Sequence, residues 1–333
     1  MSQVSLGDMA QSFLLRRQNV ALKSDLQRLS TELTTGRVTD AAARVSGDLV
    51  PLSGIDASLA RLKAYGSVTT EAGLFTGAMQ TALGAIDAMS SELSGSLIAA
   101  AGGVTPLRID AVGADARQRF EMAISTLNTR FGDRSLFAGT ATNGAATVDA
   151  DTIMQALDLE VAGLTSAADV ETAVAAWFDS PTEFAAQSYL GGGALASVSI
   201  APGEEAVVNV TATDPAIRAT LKGLAMAALL DRGVLGGQAD ARRDLARLAG
   251  VSLLQSETDR AYLSARLGTV EGQIDGAMAR NAAETTSLQI ARSGIVAADP
   301  FETASRLEET QAQLEKIYAI TARMTRLSLM DYL

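Results

Sequence analysis

The stretch "LEETQAQLEKIYAITARMTRLSLMDYL", residues Leu307–Leu333, decides how the rest of the chain is interpreted. It contains neither proline nor glycine, and its apolar residues recur at the spacing of an amphipathic helix. One apolar stripe consists of Leu307, Leu314, Ile317 and Met324, and a second contains Ile320 and Leu327. A terminal helix frays unless something holds it. The stripes therefore predict a partner, either elsewhere in the chain or in another copy of it.

The flanking sequence predicts long helices. Hydrophobic residues make up 47% of the 333 residues but aromatic residues only 4%, which is typical of packed helices. Gly36 is predicted to end the first helix, and Ser46–Pro51 to interrupt the pattern. No proline lies between Gly236 and Arg292, which predicts one unbroken helix there. The N-terminal stripes include Leu22, Leu26, Leu29 and Leu33, then Leu52, Ile55, Leu59 and Leu62, and later Phe120, Ile124, Leu127 and Phe131.

The middle of the chain differs in charge and in pattern. Residues 140–215 contain 11 acidic residues and no lysine or arginine, which leaves 27 of the 38 acidic residues against 27 basic ones elsewhere. Two short helical patterns are followed by the glycines Gly191–Gly193, which are interpreted as a flexible turn. Two strands, Ala196–Ile200 and Ala206–Thr211, are predicted around a Pro-Gly turn. A small acidic α+β domain is the expectation for this segment.

These patterns predict a mainly α fold, with a long antiparallel helical rod built from both chain ends and a small inserted α+β domain. The predicted parts are an N-terminal assembly helix (1–40), the N-terminal half of the rod (41–139), the inserted acidic domain (140–215), the C-terminal half of the rod (216–298) and a C-terminal assembly helix (299–333).

Two absences restrict the chemistry. The chain has no cysteine and no histidine, which excludes thiolate and imidazole metal sites and most hydrolase triads. The acidic middle lacks the glycine and the twelfth-position glutamate of an EF-hand loop, and Gly191–Gly193 match no phosphate-binding motif. The sequence therefore predicts no enzyme, no cofactor and no metal site.

Membrane and nucleic-acid partners are not predicted either. The first residues lack the apolar run of a signal peptide, and no run reaches the roughly 18 apolar residues of a membrane span. Residues 1–37 hold five basic and three acidic residues, a smaller excess than nucleic-acid binders carry. Taken alone, these features indicate a cytoplasmic protein.

Three segments resemble the flagellin family. "QAQLEKIYAITARMTRLSLMDYL" (Gln311–Leu333) is similar to the closing helix of that family, and "LQRLSTELTTGR" (Leu26–Arg37) resembles the segment that ends its first helix. "RSLFAGTATN" (Arg134–Asn143) resembles a segment of the family branch at the hook–filament junction. The connector "VTDAAARVSGD" (Val38–Asp48) departs from the Asn and Asp-Asp-Pro-Ala pattern of the family.

The resemblance implies a structural subunit that is exported unfolded through the flagellar type III channel and polymerises through its terminal helices. Its implied location is the extracellular flagellum. The implied partners are other copies in a ring or tube, a neighbouring hook-associated protein, flagellin and an export chaperone. The expected subunit-interface residues are Leu22, Leu26, Leu29, Leu33, Leu314, Ile317, Ile320, Met324, Leu327 and Leu329.

Two alternatives remain open at this point. The first is a flagellin, the filament subunit itself, and the second is a cytoplasmic coiled-coil scaffold whose terminal helices are already paired within the free chain.

Overall fold

The structure is a computed structural model that describes residues 6–103 and 106–330, with side-chain burial for residues 9–103, 108–324. The chain divides into two compact units, one formed by residues 1–63 with 283–333 and the other by residues 64–282. Both divisions fall inside helices, at positions where the sequence predicted no boundary. The five predicted parts remain a prediction.

The described residues of the first unit are mostly helical. They comprise α1 (Leu6–Thr35), α2 (Ala41–Arg44), the start of α3 (Val50–Ala101), the end of α9 (Glu257–Val296) and α10 (Pro300–Met330). The backbone of Gly36 has a φ of +66°, and its N–H donates to the carbonyl of Glu32 over 2.8 Å. Gly36 therefore ends α1 as predicted, because a left-handed residue at this position favours glycine.

The second unit contains the remaining elements. In chain order these are α4 (Pro106–Leu127), β1 (Arg130–Phe131), β2 (Arg134–Ser135), α5 (Ala150–Glu160), α6 (Ala167–Asp179), a π-helix (Phe184–Ser188), β3 (Val198–Ala201), β4 (Glu204–Ala206), α7 (Pro215–Ala228) and α8 (Ala239–Gln255), together with the inner parts of α3 and α9. The described strands form two separate antiparallel hairpins, β1–β2 and β3–β4.

One hydrophobic core extends through most of the second unit. It contains buried residues of α3, α4, α7 and α8, and also of the inserted helices α5 and α6. Trp177 and Phe178 pack edge-to-face with ring centroids 4.9 Å apart, and Phe184 adds a third ring 5.2 Å from Phe178. Aromatic side chains bury large areas, so these three supply much of the inserted segment's contribution to the core.

Helix α3 runs antiparallel to α8 and α9 inside this unit. The Gln80 amide donates to the carbonyl of Ser264 (3.3 Å), and the Ser94 hydroxyl donates to the carbonyl of Gly250 (2.9 Å). Later residues of α3 therefore contact earlier residues of the α8–α9 segment, first on α9 and then on α8. The predicted mainly α fold, with antiparallel helices and a small inserted α+β segment, is confirmed.

Three local predictions were wrong. Phe131 lies on β1 rather than on a helix, because α4 ends at Leu127 and Gly132, with a φ of +57°, turns the chain into a hairpin. The second predicted strand of the middle segment is only Glu204–Ala206, since its pairing with β3 ends at Ala206. The helix predicted between Gly236 and Arg292 begins at Ala239 and is interrupted at Ser256.

Candidate assembly interface

The two terminal helices pair with each other in the first unit. Lys23 on α1 lies over the ring of Tyr318 on α10, with 5.9 Å from Nζ to the ring centroid. The end of α1 meets the start of α10, because Arg37 and Ala297 form an antiparallel bridge between the segments that follow α1 and precede α10. The helices α1 and α10 are therefore antiparallel, as the sequence predicted for the chain ends.

One stripe of each helix faces the other helix. Leu29 on α1 is 3% exposed, and most of the other predicted stripe residues are half-buried. The half-buried members are Leu22, Leu26, Leu314, Ile317 and Met324. Successive members on each helix are three, four or seven residues apart, the spacing found along the seam of a two-stranded coiled coil. We call this set, with Leu29, the α1–α10 seam.

The end of the seam at Gly36 is held by backbone hydrogen bonds. The N–H of Val38 donates to the carbonyl of Val296 (2.9 Å), and the N–H of Ala298 donates to that of Gly36 (3.0 Å). Asp299 then caps α10, since its carboxylate accepts from the N–H groups of Phe301 (2.9 Å) and Glu302 (3.1 Å). Pro300 occupies the first helical position, where its missing N–H has no consequence.

Two polar residues are buried beside the seam, and the apolar pattern of the sequence did not reveal them. Glu32 and Thr303 are each 6% exposed. The Glu32 carboxylate accepts from the N–H of Thr39 (2.9 Å) and pairs with Arg28 (3.5 Å). Arg28 also donates to Asp25 (3.0 Å), and these acidic partners, Asp25 first, raise the pKa of the Arg28 guanidinium. The buried Glu32 carboxylate thus links α1 to the connector Val38–Asp48 that follows it.

Several apolar side chains of the same helices face away from the seam. Of the predicted interface residues, Leu33 is 39% and Ile320 is 47% exposed. Phe13, Leu14 and Val20 on α1 are more than half exposed. Isolated exposed apolar residues are common on protein surfaces, and a larger group of them marks a candidate interaction surface.

The predicted interface is thus divided into two groups. Six of its residues belong to the seam, and Leu33 and Ile320 point away from it. The side chains of Leu327 and Leu329 lie outside those the structure describes.

The described residues contain no cluster of three or more acidic side chains arranged to hold a metal ion. None of the helices in this part of the chain has an apolar stretch long enough to cross a membrane.

The fold and these paired terminal helices define a mainly helical protein. Residues 255–333, which comprise α9 and α10, match the family profile of the bacterial flagellin C-terminal helical region. This region of the chain is therefore similar to the C-terminal helical region of bacterial flagellins. No curated protein matches the sequence.

A solved structure described as a flagellar hook-associated protein from Vibrio parahaemolyticus has a similar fold. The TM-score is 0.51 at 13% sequence identity, and the similarity covers 74% of this chain and 96% of that chain. At this level of identity the similarity shows a shared fold.

Proposed function

We propose that the chain is the structural subunit that joins the flagellar hook region to the filament. It is exported unfolded through the flagellar type III channel and acts outside the cell. Its partners are other copies of itself in a ring or tube, a neighbouring hook-associated protein, flagellin and an export chaperone. The family match at residues 255–333 and the fold shared with a protein described as hook-associated support this assignment.

The observation that carries the proposal is the exposed apolar surface of α1 and α10. The seam residues hold the two helices together within one chain, so they are not free to bind a neighbour without opening the pair. Leu33 and Ile320, in contrast, are accessible in the free chain. Burying one such side chain against another subunit gains roughly 1.5–3 kcal/mol. Repeated around a ring, these contacts favour polymerisation over the free monomer.

The junction branch is preferred to the filament subunit because the segment Arg134–Asn143 resembles a segment of that branch. Arg134–Asn143 contains β2 and leads the chain from the α4–β1–β2 region into the inserted segment. Leu136, Phe137 and Ala138 within it are at most 1% exposed, so this segment is an integral part of the core of the second unit.

Ile320→Asp tests the assembly surface. The variant should fold normally, because Ile320 is exposed in the free chain, but it should fail to incorporate into flagella when it replaces the native chain. A charge on the buried side of an interface is strongly unfavourable. Circular dichroism reports folding, and immunoblotting of purified flagella reports incorporation.

Gln311→Asp is the matched control, since it places the same charge on an exposed polar position of α10. The control should incorporate normally. Normal incorporation of Ile320→Asp would show that this face of α10 is not used in assembly.

Immunogold labelling of the native chain distinguishes the three functions. Labelling confined to the boundary between hook and filament supports the junction subunit, and labelling along the filament indicates flagellin. Labelling restricted to the cytoplasm would favour the coiled-coil scaffold.

A further inference from the structure

The interruption between α8 and α9 has specific chemistry at its centre. Backbone hydrogen bonding runs regularly up to the N–H of Ser256, which donates to Ser252 (3.0 Å), and resumes where the N–H of Arg260 donates to Ser256 (3.0 Å). Ser256 itself belongs to neither helix, since α8 ends at Gln255 and α9 begins at Glu257. Ser256 has a ψ of −7°, well away from the ordinary helical value.

Side chains replace the missing backbone donor. The carbonyl of Leu253 accepts from the Ser256 hydroxyl (2.9 Å) and from Arg260 Nη1 (3.1 Å), and the same Nη1 also donates to the Ser256 hydroxyl (2.6 Å). Insertion of side chains into the backbone ladder is a recognised cause of helix kinks. Arg260 therefore caps the end of α8 although it belongs to α9.

The guanidinium is anchored to a third helix. Arg260 is 6% exposed, and its Nε donates to Asp87 on α3 over 2.6 Å. Its Nη2 reaches the hydroxyl of Ser91 at 3.3 Å. A buried arginine needs a charged partner, because an unpaired buried charge is strongly destabilising. We call Asp87, Ser91, Ser256 and Arg260 the Arg260 cluster.

The buried stripe does not require the interruption. It continues through the break with an unbroken alternation of three and four residues, and all of its members are buried. They are Ala246, Ala249, Leu253, Ser256, Arg260, Leu263 and Leu267. A continuous helix would bury the same face, so the hydrophobic pattern alone does not select the broken form. The two polar members stand at the break itself.

We propose that the Arg260 cluster is a conformational device that holds α8 and α9 in a broken form, and that releasing Arg260 from Asp87 converts them into one continuous helix. The Leu253 carbonyl then accepts from the N–H of Glu257 in place of Arg260. The two arrangements bury the same face and differ only in the group that donates to the Leu253 carbonyl. They therefore form a two-state element that can switch from one arrangement to the other. This inference does not depend on the proposed function.

Distance measurement across the break tests the inference. The chain has no cysteine, so Arg247→Cys and Gln273→Cys introduce two unique sites for spin labels at exposed positions on α8 and α9. Their Cα atoms would be about 39 Å apart in a straight helix, at 1.5 Å per residue. In the otherwise unchanged chain we expect a shorter mean distance, measured by pulsed electron spin resonance.

Asp87→Asn should lengthen the mean distance toward about 39 Å, because it removes the charge that anchors Arg260. Arg260→Met provides a second variant with a similar volume and no buried charge, and it should lengthen the distance in the same way. Circular dichroism confirms that each variant is folded.

Asp56→Asn is the matched control. Asp56 also lies on α3 and accepts from the Nε of an α9 arginine, Arg292, over the same 2.6 Å, but no helix break adjoins that pair. It should leave the distance unchanged. A straight-helix distance in the parent chain, an unchanged distance in both Asp87→Asn and Arg260→Met, or an equal shift in the control would each overturn the inference.

Discussion

Gly139 and the glycines Gly191–Gly193 show the limit of a local sequence pattern. The pattern correctly predicted an irregular segment at Gly191–Gly193, but it did not reveal how tightly that segment is packed. The N–H of Gly192 donates to the carbonyl of Ala138 (2.8 Å), and the N–H of Thr140 donates to that of Gly193 (2.9 Å). A Cβ at Gly191 would overlap the ring of Tyr189, and one at Gly192 would overlap the Thr140 hydroxyl. The predicted flexible turn is therefore a tightly packed segment, and the segment that it packs against lies about fifty residues earlier in the sequence.

Gly139→Ala should lower the stability of the second unit by at least about 2 kcal/mol. Gly139 has a φ of +57°, and a Cβ there would overlap the carbonyl oxygen of Gly193, so both the backbone conformation and the space oppose a side chain. Thermal unfolding should show a decrease of roughly 4–8 °C in Tm.

Gly193→Ala is the matched control for this position. A Cβ at Gly193 meets no atom within 4 Å, so its effect on stability should stay within about 0.5 kcal/mol. Equal Tm values for Gly139→Ala and the unsubstituted chain would mean that the two backbone segments can separate without loss of stability.

At the scale of the helices, the sequence predicted the antiparallel pairing of α1 with α10. It could not show which apolar residues lie between the two helices and which face outward. Periodicity shows that an apolar face needs a partner, and it does not distinguish a partner in the same chain from one in another copy. The structure places Leu29 and Ile317 in the seam and leaves Leu33 and Ile320 outside it. Glu32 and Thr303 were not predicted because polar residues at stripe positions do not appear in an apolar pattern.

Leu29→Ala should loosen the pairing of α1 and α10. Removing a side chain that is 3% exposed should cost about 2–3 kcal/mol, toward the lower end for buried leucines because a seam of two helices can relax. Hydrogen exchange of the α10 amides measures the effect as a lower free energy of local opening.

Leu33→Ala, which truncates the same side chain at an exposed position on α1, serves as the comparison. It should change the opening free energy by no more than about 0.5 kcal/mol. If both variants accelerate exchange equally, the seam identified here does not hold the pair together.

At the scale of the whole chain, the acidic middle segment finds its counter-charges in the flanking helices of the second unit and in the turn between α7 and α8. Arg232 pairs with Asp151 (3.1 Å) and Asp158 (2.6 Å), and Arg218 lies 3.6 Å from Asp179. The other such pairs are Arg266 with Asp214 and Arg280 with Glu204. Exposed pairs like these contribute little stability individually, but they favour one placement of the segment. The charge asymmetry of the sequence predicted a separate domain at residues 140–215, and this stays a prediction; the counter-charges of the segment could not be located without the fold.

The two units should differ in resistance to proteolysis. The largest fully buried side chains lie in the second unit, whereas the α1–α10 seam buries one face of each helix. Brief digestion with trypsin should therefore cut first near Lys23 and Lys316, and mass spectrometry should identify a resistant fragment that contains residues 64–282. First cleavage within that range, for example after Arg232, would contradict this order of stability.

The hydrogen bonds between Ala138–Thr140 and Gly192–Gly193 also bring together the two ends of an excursion of about fifty residues. Because the two ends of this excursion are held together, the segment between them can change in length without displacing the elements on either side. The exposed turn between α5 and α6, at Ala162 and Gly163, is accordingly a suitable place to graft an epitope or a fluorescent reporter.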